Sequence, residues 1–573
     1  MASETKPAVE STVAATCEKE EDNEHDLVAG ITLLDVLNKW QLVLAWIGLL
    51  LVSFTNYLDS VTVSTYFVYA LSEFERLSVE GALSAIFGVI ALGIQGVLAT
   101  LAGEIHSFTI VAASVCLITL AFILEASAPG IGALIAGFSI YAVGLMTSKF
   151  MIYVLTAELS NMRHRALSLG AANLPAMISQ LGGAKMAESV LQRLSWRWGI
   201  ALWCIMIPVA SIPLLVALFL ARRKVHQKGT LEMPASRKQR VLGIWAKLLE
   251  QDLIGCAFLA AGCALLFLPI PLEHGGVERY ASAHCVAPTV IGFCVLVAFG
   301  IWEAKFALNP LFPKRLIRNK NVLGPLLASL CGGFSLSFLL PYFYVYIMVT
   351  SQLSISSATY ITLALTLTNA FAQLCYGALV SWMQRPKWLF VATMGLLVLG
   401  GGLQLAFPDP HSQLAGLVAA QIVSGFGFGG FMSVLVLAQA SALPQDVPVL
   451  SAAYIILANF STSVAGAVAG GMWTTILVKN LEQYLPSEIK DQARTIMGSL
   501  TVAQSYEWGS PEREAIILAH KKTFRHFFVG FIVTASMAFL LSFICDDIHV
   551  GKVDEERNAA KRKAEEKENQ QAQ

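Results

Sequence analysis

The sequence predicts an all-α protein that crosses a membrane many times. Its 573 residues are 56% hydrophobic and only 14% charged, with a mean hydropathy of +0.63. These values lie outside the range of soluble globular domains. Apolar runs of roughly 20 residues follow one another along the chain, and a helix needs this length to cross ~30 Å of hydrocarbon.

Fourteen such runs are predicted to be transmembrane helices. An acidic tail, residues 1–40, precedes the first run, and a short tail of mixed charge, residues 546–573, follows the last. The predicted spans are 41–68, 81–102, 108–127, 130–155, 166–188, 199–221, 252–272, 285–304, 322–349, 358–382, 388–407, 412–438, 448–472 and 525–545.

The loops between the spans predict the orientation. Clustered Lys and Arg occur in "NMRHR", in the basic loop 222–251, in "KFALNPLFPKRLIRNK" and in "MQRPK", which all fall on one side of the membrane. Because basic loops stay in the cytosol, both tails are predicted to be cytosolic. The loop 473–524 then lies outside. Its segment "WTTILVKNLEQYL" has apolar residues at helical spacing, which predicts an amphipathic helix on the membrane face.

Composition and motifs argue against several classes of function. A net charge of zero gives no indication of a nucleic-acid partner. The ten cysteines are scattered without a CxxC pair or a Cys/His cluster, so neither a metal site nor another cofactor is expected. The sequence has no phosphate-binding GxxxxGK[ST] loop and no nucleophile and base at motif spacing, so it predicts neither an ATP-driven pump nor an enzyme. A secondary transporter needs only a few intramembrane titratable groups.

Two carboxylates are candidates for proton coupling. Asp59 lies inside the first span, where its short side chain cannot reach water, and a buried carboxyl group is suited to reversible protonation. A structural carboxylate that is satisfied by Ser and Thr hydroxyls is the alternative. Glu125 lies at the outer end of the third span, where a solvated rim position is the favoured interpretation.

Lys149 is the single charge in the apolar stretch "GLMTSKFMIYVL". It lies six residues beyond the midpoint of the fourth span, which is about 9 Å toward the cytosol at 1.5 Å per residue. Its ammonium group can snorkel to the inner interface. Alternatively, it faces a cavity, where it attracts an anionic substrate or interacts with a nearby carboxylate.

The remaining candidates are aromatic and amide side chains and a charged inner mouth. Tyr342, Tyr344 and Tyr346 alternate at two-residue spacing, so at most two can share a helical face; an interfacial aromatic belt is the alternative. Asn369 and Gln373 lie one turn apart and serve either as substrate contacts or as contacts between helices. The full set of substrate candidates is Tyr66, Tyr141, Lys149, Trp198, Tyr342, Tyr346, Asn369 and Gln373, and the gating candidates are Glu104, Glu158, Arg163 and Arg165.

The chain resembles the major facilitator superfamily, and several of its sequence segments are most similar to the fungal siderophore-iron transporter family. The resemblance runs from about residue 40 to 545 and rests on the order and spacing of several strings. They are "YLDSVTVSTYFVYALSEF", "LTAELSNMRHRAL", "SWRWGIALWCIMIPVASIPLL", "DLIGCAFLAAGCALLFLPIPL", "NPLFPKRLIRNKNV", "FSLSFLLPYFYVYIMVTSQLS" and "SPEREAIILAHKKTFR".

The resemblance implies two six-helix bundles with two extra helices between them, and alternating access around a midplane cavity. The bundles would cover residues 41–221 and 305–545, with the linking helices in 252–304. Family members import ferric chelates, often hydroxamates, by proton symport, and contact the organic shell of the chelate without coordinating iron.

Two positions depart from the family pattern. The superfamily usually carries an acid followed by Gly-Arg in the loop between helices two and three, whereas this chain reads "LATLAGEIHSF", with Glu104 as a displaced acid. His520 stands where the family prefers an aromatic residue, and the segment "SPEREAIILAH" predicts a solvated loop histidine there.

Three functional hypotheses follow. The first is a proton-coupled importer of ferric siderophores in the plasma membrane or a vesicle, acting as a monomer with a chelate, protons and lipid as its partners. The second is a glutathione or drug exchanger of the same architecture. The third is a transport-defective receptor that senses a chelate, and the altered "GEIHSF" loop motivates it.

Overall fold

The computed structural model describes residues 37–159, 165–227, 252–272, 282–307, 311, 315, 318–431, 437–438, 441 and 447–549. Within these ranges every regular element is a helix. The long helices are α1 (Lys39–Glu73), α2 (Val79–Glu104), α3 (Ser107–Ala126), α4 (Ile131–Glu158), α5 (Arg165–Arg193), α6 (Trp196–Gln227), α7 (Leu253–Phe267), α8 (Ala283–Lys305), α9 (Lys320–Thr350), α10 (Ile355–Met383), α11 (Pro386–Ala406), α12 (Leu414–Gly429), α13 (Val447–Met472) and α14 (Pro511–Ser542).

Each long helix coincides with one predicted span. In the described part of the chain, eleven helices are long and apolar enough to cross a membrane. Shorter apolar stretches, Val79–Ile94 and Leu414–Gly429, occupy α2 and α12. The protein is therefore a multi-pass membrane protein.

The helices pack as two groups. In the first, α1 packs against α5 and α6, and α3 against α4 and α6. In the second, α9 packs against α13 and α14, and α12 against α10 and α11. We call α1–α6 the N-half and α9–α14 the C-half. They meet along α2 with α13 and along α5 with α10, while α7 and α8 pack on each other beside α2.

Glycines bring α2 and α13 together where the two halves meet. A Cβ atom at Gly81 would lie 2.6 Å from the Gly466 carbonyl oxygen, and one at Gly88 would lie 2.7 Å from that of Asn459. Backbones can approach this closely only where side chains are absent. The small-residue segment "GAVAGG", residues 466–471, therefore serves tight packing between the halves.

The ends of the bundle are distinguished by ion pairs. Lys320 at the start of α9 pairs with Asp546 at 2.8 Å, and Arg385 at the start of α11 pairs with Asp547 at 3.2 Å. The starts of α9 and α11 therefore lie beside residues 546 and 547, at the end of the bundle that we call the terminal end. The α1–α2 and α9–α10 loops lie at the opposite, or far, end.

The segment before α14 differs from its prediction. Residues 473–484 continue α13 through a π-helical turn, Trp473–Leu477, and a further helix, Val478–Tyr484. Trp473, Leu477 and Leu481 are fully buried. The predicted amphipathic helix on the membrane face is therefore wrong, because this apolar stripe packs inside the protein against α14.

α14 begins fourteen residues before its predicted span of 525–545. The Ser510 side chain accepts a hydrogen bond from the Arg513 backbone N–H at 3.2 Å, and Pro511 occupies the first turn. Both are helix-start signals, but charged residues interrupt the apolar run there.

Candidate functional site

A cavity of about 410 Å³ lies between the two halves. Its walls come from α1, α2, α4 and α5 on one side and from α9 and α10 on the other. A second cavity of about 220 Å³ reaches into the N-half. The two cavities share Ser60, Ser64, Glu80, Ser84 and Lys149 as wall residues.

Hydroxyl groups dominate the polar part of the larger cavity. On α1 the lining residues recur every three to four positions, which places them on one helical face. Several hydroxyls donate to carbonyls of their own helix, for example Ser64 to Val61 at 2.8 Å and Thr362 to Ala358 at 3.0 Å. Their oxygens keep acceptor capacity toward the cavity. The lining Ser, Thr and Gln residues are Ser60, Ser64, Thr65, Ser84, Gln180, Thr359, Thr362 and Thr366.

Lys149 stands on the cavity wall. It lines both cavities, and its ammonium nitrogen lies 5.9 Å from the ring centroid of Tyr57, which also lines the larger one. Of the two interpretations that the sequence leaves open, this geometry is that of the cavity-facing lysine.

Asp59 lies directly behind this wall and is completely buried. The Tyr141 hydroxyl donates to Asp59 Oδ1 at 3.4 Å, and Lys149 interacts electrostatically with the same carboxylate. Oδ2 has no hydrogen-bond partner among the described residues. Tyr141 and Lys149 both line the smaller cavity, so they connect that cavity to the buried carboxylate.

Glu125 is also completely buried, so the interpretation of a solvated rim carboxylate is wrong. A Cβ at Gly137 of α4 would lie 2.6 Å from Glu125 Cγ. The missing side chain at Gly137 lets α4 cover the end of α3. Neither carboxylate oxygen has a hydrogen-bond partner in the described ranges, and Glu125 interacts electrostatically with Asp59.

Several predicted substrate contacts lie away from the cavity. Tyr66 is fully buried against α6, where a Cβ at Gly199 would meet its ring at 2.7 Å. The Trp198 side chain points outward and is 63% exposed. Tyr346 is buried in the C-half and stacks on Phe524, with ring centroids 4.1 Å apart.

The amide pair on α10 is also outside the cavity lining. The Gln373 Nε2 group donates to Asn369 Oδ1 at 3.1 Å, within one helix. Gly425 and Gly429 of α12 approach the backbone of the same two residues. This arrangement satisfies the amides at a helix contact.

One of the four predicted gating residues, Arg163, lies wholly outside the described residues. The side chains of Glu104 and Arg165 lie outside them as well. Glu158 is half-buried just beyond the apolar part of α4, and burial raises the pKa of its carboxyl group.

Hydrogen bonds between the halves gather at the far end. The Tyr342 hydroxyl donates to the Ser78 carbonyl at 2.7 Å and accepts from the Gly81 N–H at 3.1 Å. Thr366 donates to Gln180 at 3.1 Å, and Lys185 donates to Ser356 at 2.8 Å. Tyr342 is thus a contact between the halves.

The segment between α13 and α14, residues 473–510, and the start of α14 cover this end; we call them the outer cap. The Leu77 N–H donates to the Gly498 carbonyl at 3.0 Å, and the Leu500 N–H donates to Ser72 Oγ at 3.0 Å. The Arg513 guanidinium, which is 3% exposed, donates to the Val349 carbonyl at 2.7 Å. His520, predicted to be a solvated loop residue, is instead buried in α14 with its ring against Trp473. That prediction is wrong because α14 starts early.

Sequence reasoning missed Glu80. It lies in the first turn of α2 and lines both cavities, and its Oε2 is buried without a partner among the described residues. It stands just before the apolar run 81–102, so the sequence presents it as an ordinary loop acid. The serines and threonines of the wall have no distinguishing sequence signal either.

Solved structures of transporters share this fold. A bacterial homologue of the human lysosomal transporter Spinster, in an inward-facing and unoccupied conformation, matches 89% of this chain and 98% of its own, with a TM-score of 0.58 and 13% identity. A nucleoside transporter, NupG, covers 88% of this chain and 99% of its own, with a TM-score of 0.53 and 13% identity. The predicted major facilitator fold is confirmed.

Curated proteins with similar sequences are named siderochrome or siderophore iron transporters. The MFS siderochrome iron transporter C of Aspergillus fumigatus is 27% identical over 549 residues, which cover 93% of this chain and 89% of the relative. The siderophore iron transporter 1 of Schizosaccharomyces pombe is 29% identical over 472 residues, or 79% and 74% of the two chains. No model of a protein family matches the sequence. The resemblance to fungal siderophore-iron transporters that the sequence predicts is confirmed by these names.

Proposed function

We propose that this chain is a secondary active transporter that imports ferric-siderophore chelates by proton symport with alternating access. The carrying observation is a hydroxyl-lined cavity between the two halves whose wall residue Lys149 interacts with the buried Asp59. Tyr141, on the wall of the smaller cavity, donates a hydrogen bond to the same carboxylate. The names of the curated relatives support the substrate class.

The cavity wall suits the organic shell of a chelate. A ferric tris-hydroxamate is electrically neutral, because three singly charged hydroxamates balance the iron. Its shell presents carbonyl oxygens and N–H groups. Serine and threonine hydroxyls can contact both without a large charge. The described residues hold no group of three or more His, Cys, Asp or Glu side chains that could bind a metal, so recognition through the shell is the consistent route.

The buried cluster supports proton coupling. The Asp59 carboxyl group, once protonated, loses its favourable interaction with Lys149. The freed ammonium group on the cavity wall can then donate hydrogen bonds to the substrate. Tyr141 is in contact with both the cavity and Asp59, so it provides a hydrogen-bonding step between them. The electrostatic interaction of Glu125 with Asp59 supports a role for Glu125 in the same proton path.

The contacts at the far end support alternating access. Tyr342, Thr366 and Lys185 join the halves there, and the outer cap covers it. With both tails in the cytosol, the far end is the outer face. The described conformation is then closed to the outside, and import requires these hydrogen bonds to break and re-form.

Uptake of iron-labelled hydroxamate chelates tests the proposal in cells that lack other importers. The chain should drive accumulation that a protonophore abolishes and that rises as the outside is acidified. Plasma-membrane and vesicular locations are separated by imaging a tagged chain.

Two other outcomes would overturn this function in different ways. Chelate binding without accumulation would favour the receptor hypothesis. Efflux of labelled glutathione or a drug against a proton gradient would favour the exchanger. Quantifying the protein at the membrane in each case excludes poor expression as the cause.

A further inference from the structure

The wall of both cavities carries a carboxylate, Glu80, that the proton-coupling cluster does not use. Glu80 lies in the first turn of α2, and its side chain lines the larger cavity and the smaller one. Its Oε2 is buried and has no hydrogen-bond partner among the described residues. A buried carboxylate without a partner is costly, so a ligand that supplies the missing donor gains affinity there.

The position of Glu80 is fixed by a contact from the other half. The Tyr342 hydroxyl of α9 holds both the Ser78 carbonyl and the Gly81 N–H, the residues two before and one after Glu80. The turn that carries Glu80 is therefore held in place while the far end is closed. A ligand group bound to Glu80 would contact the N-half at the point where the halves meet.

Lys149 does not serve as the partner of Glu80. Lys149 interacts with Asp59 and lies eighteen residues into α4, about 27 Å from its far-end start at 1.5 Å per residue. Glu80 is the second residue of α2 at the far end. Among the described lining residues of the two cavities, Lys149 and Glu80 are the charged ones, and no ion pair joins them.

We propose that Glu80 is a specificity-determining residue that binds a cationic group on the periphery of the chelate, such as a primary ammonium. This inference rests on the proposed function. A neutral tris-hydroxamate core can occupy the hydroxyl-lined wall, while an ammonium on its shell donates to the Glu80 carboxylate. Charge-assisted hydrogen bonds of this kind are stronger than neutral ones.

A matched pair of ligands tests the proposal. One is an iron-labelled tris-hydroxamate that bears a free primary amine, and the other is the same chelate with that amine acetylated. The wild-type chain should take up the free-amine chelate roughly tenfold better, which corresponds to one charge-assisted contact. Glu80→Gln, which keeps the size of the side chain, should reduce this preference to about twofold or less.

Two further variants make the test specific. Glu80→Asp keeps the charge and should retain most of the preference. Glu514→Gln removes a carboxylate from an exposed position in the first turn of α14, at the same end of the protein, and should leave the preference unchanged. Membrane abundance is measured for every variant.

The possible failures are distinguishable. Uptake of neither chelate by the wild-type chain would overturn the proposed function, and this inference with it. Wild-type uptake of both chelates at equal rates would overturn the role of Glu80 alone. A preference that survives in Glu80→Gln, or one that Glu514→Gln also abolishes, would do the same.

Discussion

The interiors of the two halves differ in chemistry. The N-half buries Asp59 and Glu125 behind a wall that carries Tyr141 and Lys149. The C-half fills its interior with stacked rings: Tyr342 on Trp473 with centroids 4.3 Å apart, and Tyr346 on Phe524 at 4.1 Å. A major facilitator fold therefore does not need matching interiors. Here the N-half holds the buried carboxylates, and the C-half holds the stacked aromatic rings.

Asp59→Asn should have the largest functional effect. Asparagine has nearly the same volume as aspartate but cannot bind a proton, so accumulation of iron-labelled chelate should fall to background. Chelate binding to protein reconstituted in lipid should persist, because Asp59 lies behind the wall. Asp491→Asn, at an exposed position of the outer loop, is the control and should transport normally. Accumulation above background by Asp59→Asn would remove Asp59 from the proton path.

Phe524→Ala should have the largest effect on stability. Phe524 is fully buried and also stacks on Phe527, with centroids 5.0 Å apart. Loss of the ring leaves a cavity and should lower the free energy of unfolding by about 3–5 kcal/mol.

Thermal unfolding of the purified protein in detergent measures this loss. The fraction that remains folded should keep the protonophore sensitivity of the wild type, because the ring is not connected to Asp59. A folded Phe524→Ala protein whose uptake no longer depends on protons would contradict the division between the halves.

Among the charged residues of the N-half, the sequence identified some and missed others. Asp59 and Lys149 were identifiable because a charge in an apolar run is conspicuous. Glu125 was misjudged and Glu80 was missed because both stand at the edge of a span, where sequence cannot distinguish a solvated acid from one covered by a neighbouring helix. For Glu125 the covering depends on Gly137, in a different helix.

The sequence predicted some helix bounds and not others. Apolar length predicted where the long helices α1–α14 lie. It failed for the helical continuation after α13 and for the start of α14, because tertiary packing buries Trp473 and Leu481 there. Ser510 and Pro511 were readable as a helix start, and weighing them would have placed His520 inside α14.

Tyr141→Phe should have a moderate effect. The substitution removes the hydroxyl that donates to Asp59 at 3.4 Å but retains the ring, which lies 5.1 Å from that of Phe122. The net loss of one hydrogen bond is about 1 kcal/mol, so uptake should fall roughly fivefold and its pH profile should shift.

Phe122→Leu alters the same ring pair without removing a polar group and is the matched control. It should leave the pH profile in place. If both variants shift the pH profile equally, Tyr141 acts through packing and the proposed step between the cavity and Asp59 is lost.

Asp409→Asn should have the smallest effect, because it alters a charge of the C-half outside the membrane. Asp409 accepts from Lys521 and Ser412, both at 2.8 Å, and from the His411 N–H at 3.0 Å. Partial burial raises the pKa of its carboxyl group, but the three hydrogen bonds and the Lys521 charge together outweigh this, so the pKa lies below its usual value.

A lowered pKa in the folded state gives stability that is present above the unfolded value of about 3.9 and is lost as the pH falls through the folded value. The pair is partly exposed, so the loss should stay below about 1 kcal/mol. Thermal unfolding between about pH 5 and pH 8 should therefore show a small, constant difference between Asp409→Asn and wild type. A difference that changes across this range would mean that Asp409 is coupled to a further titrating group, and the predicted constant difference would be wrong.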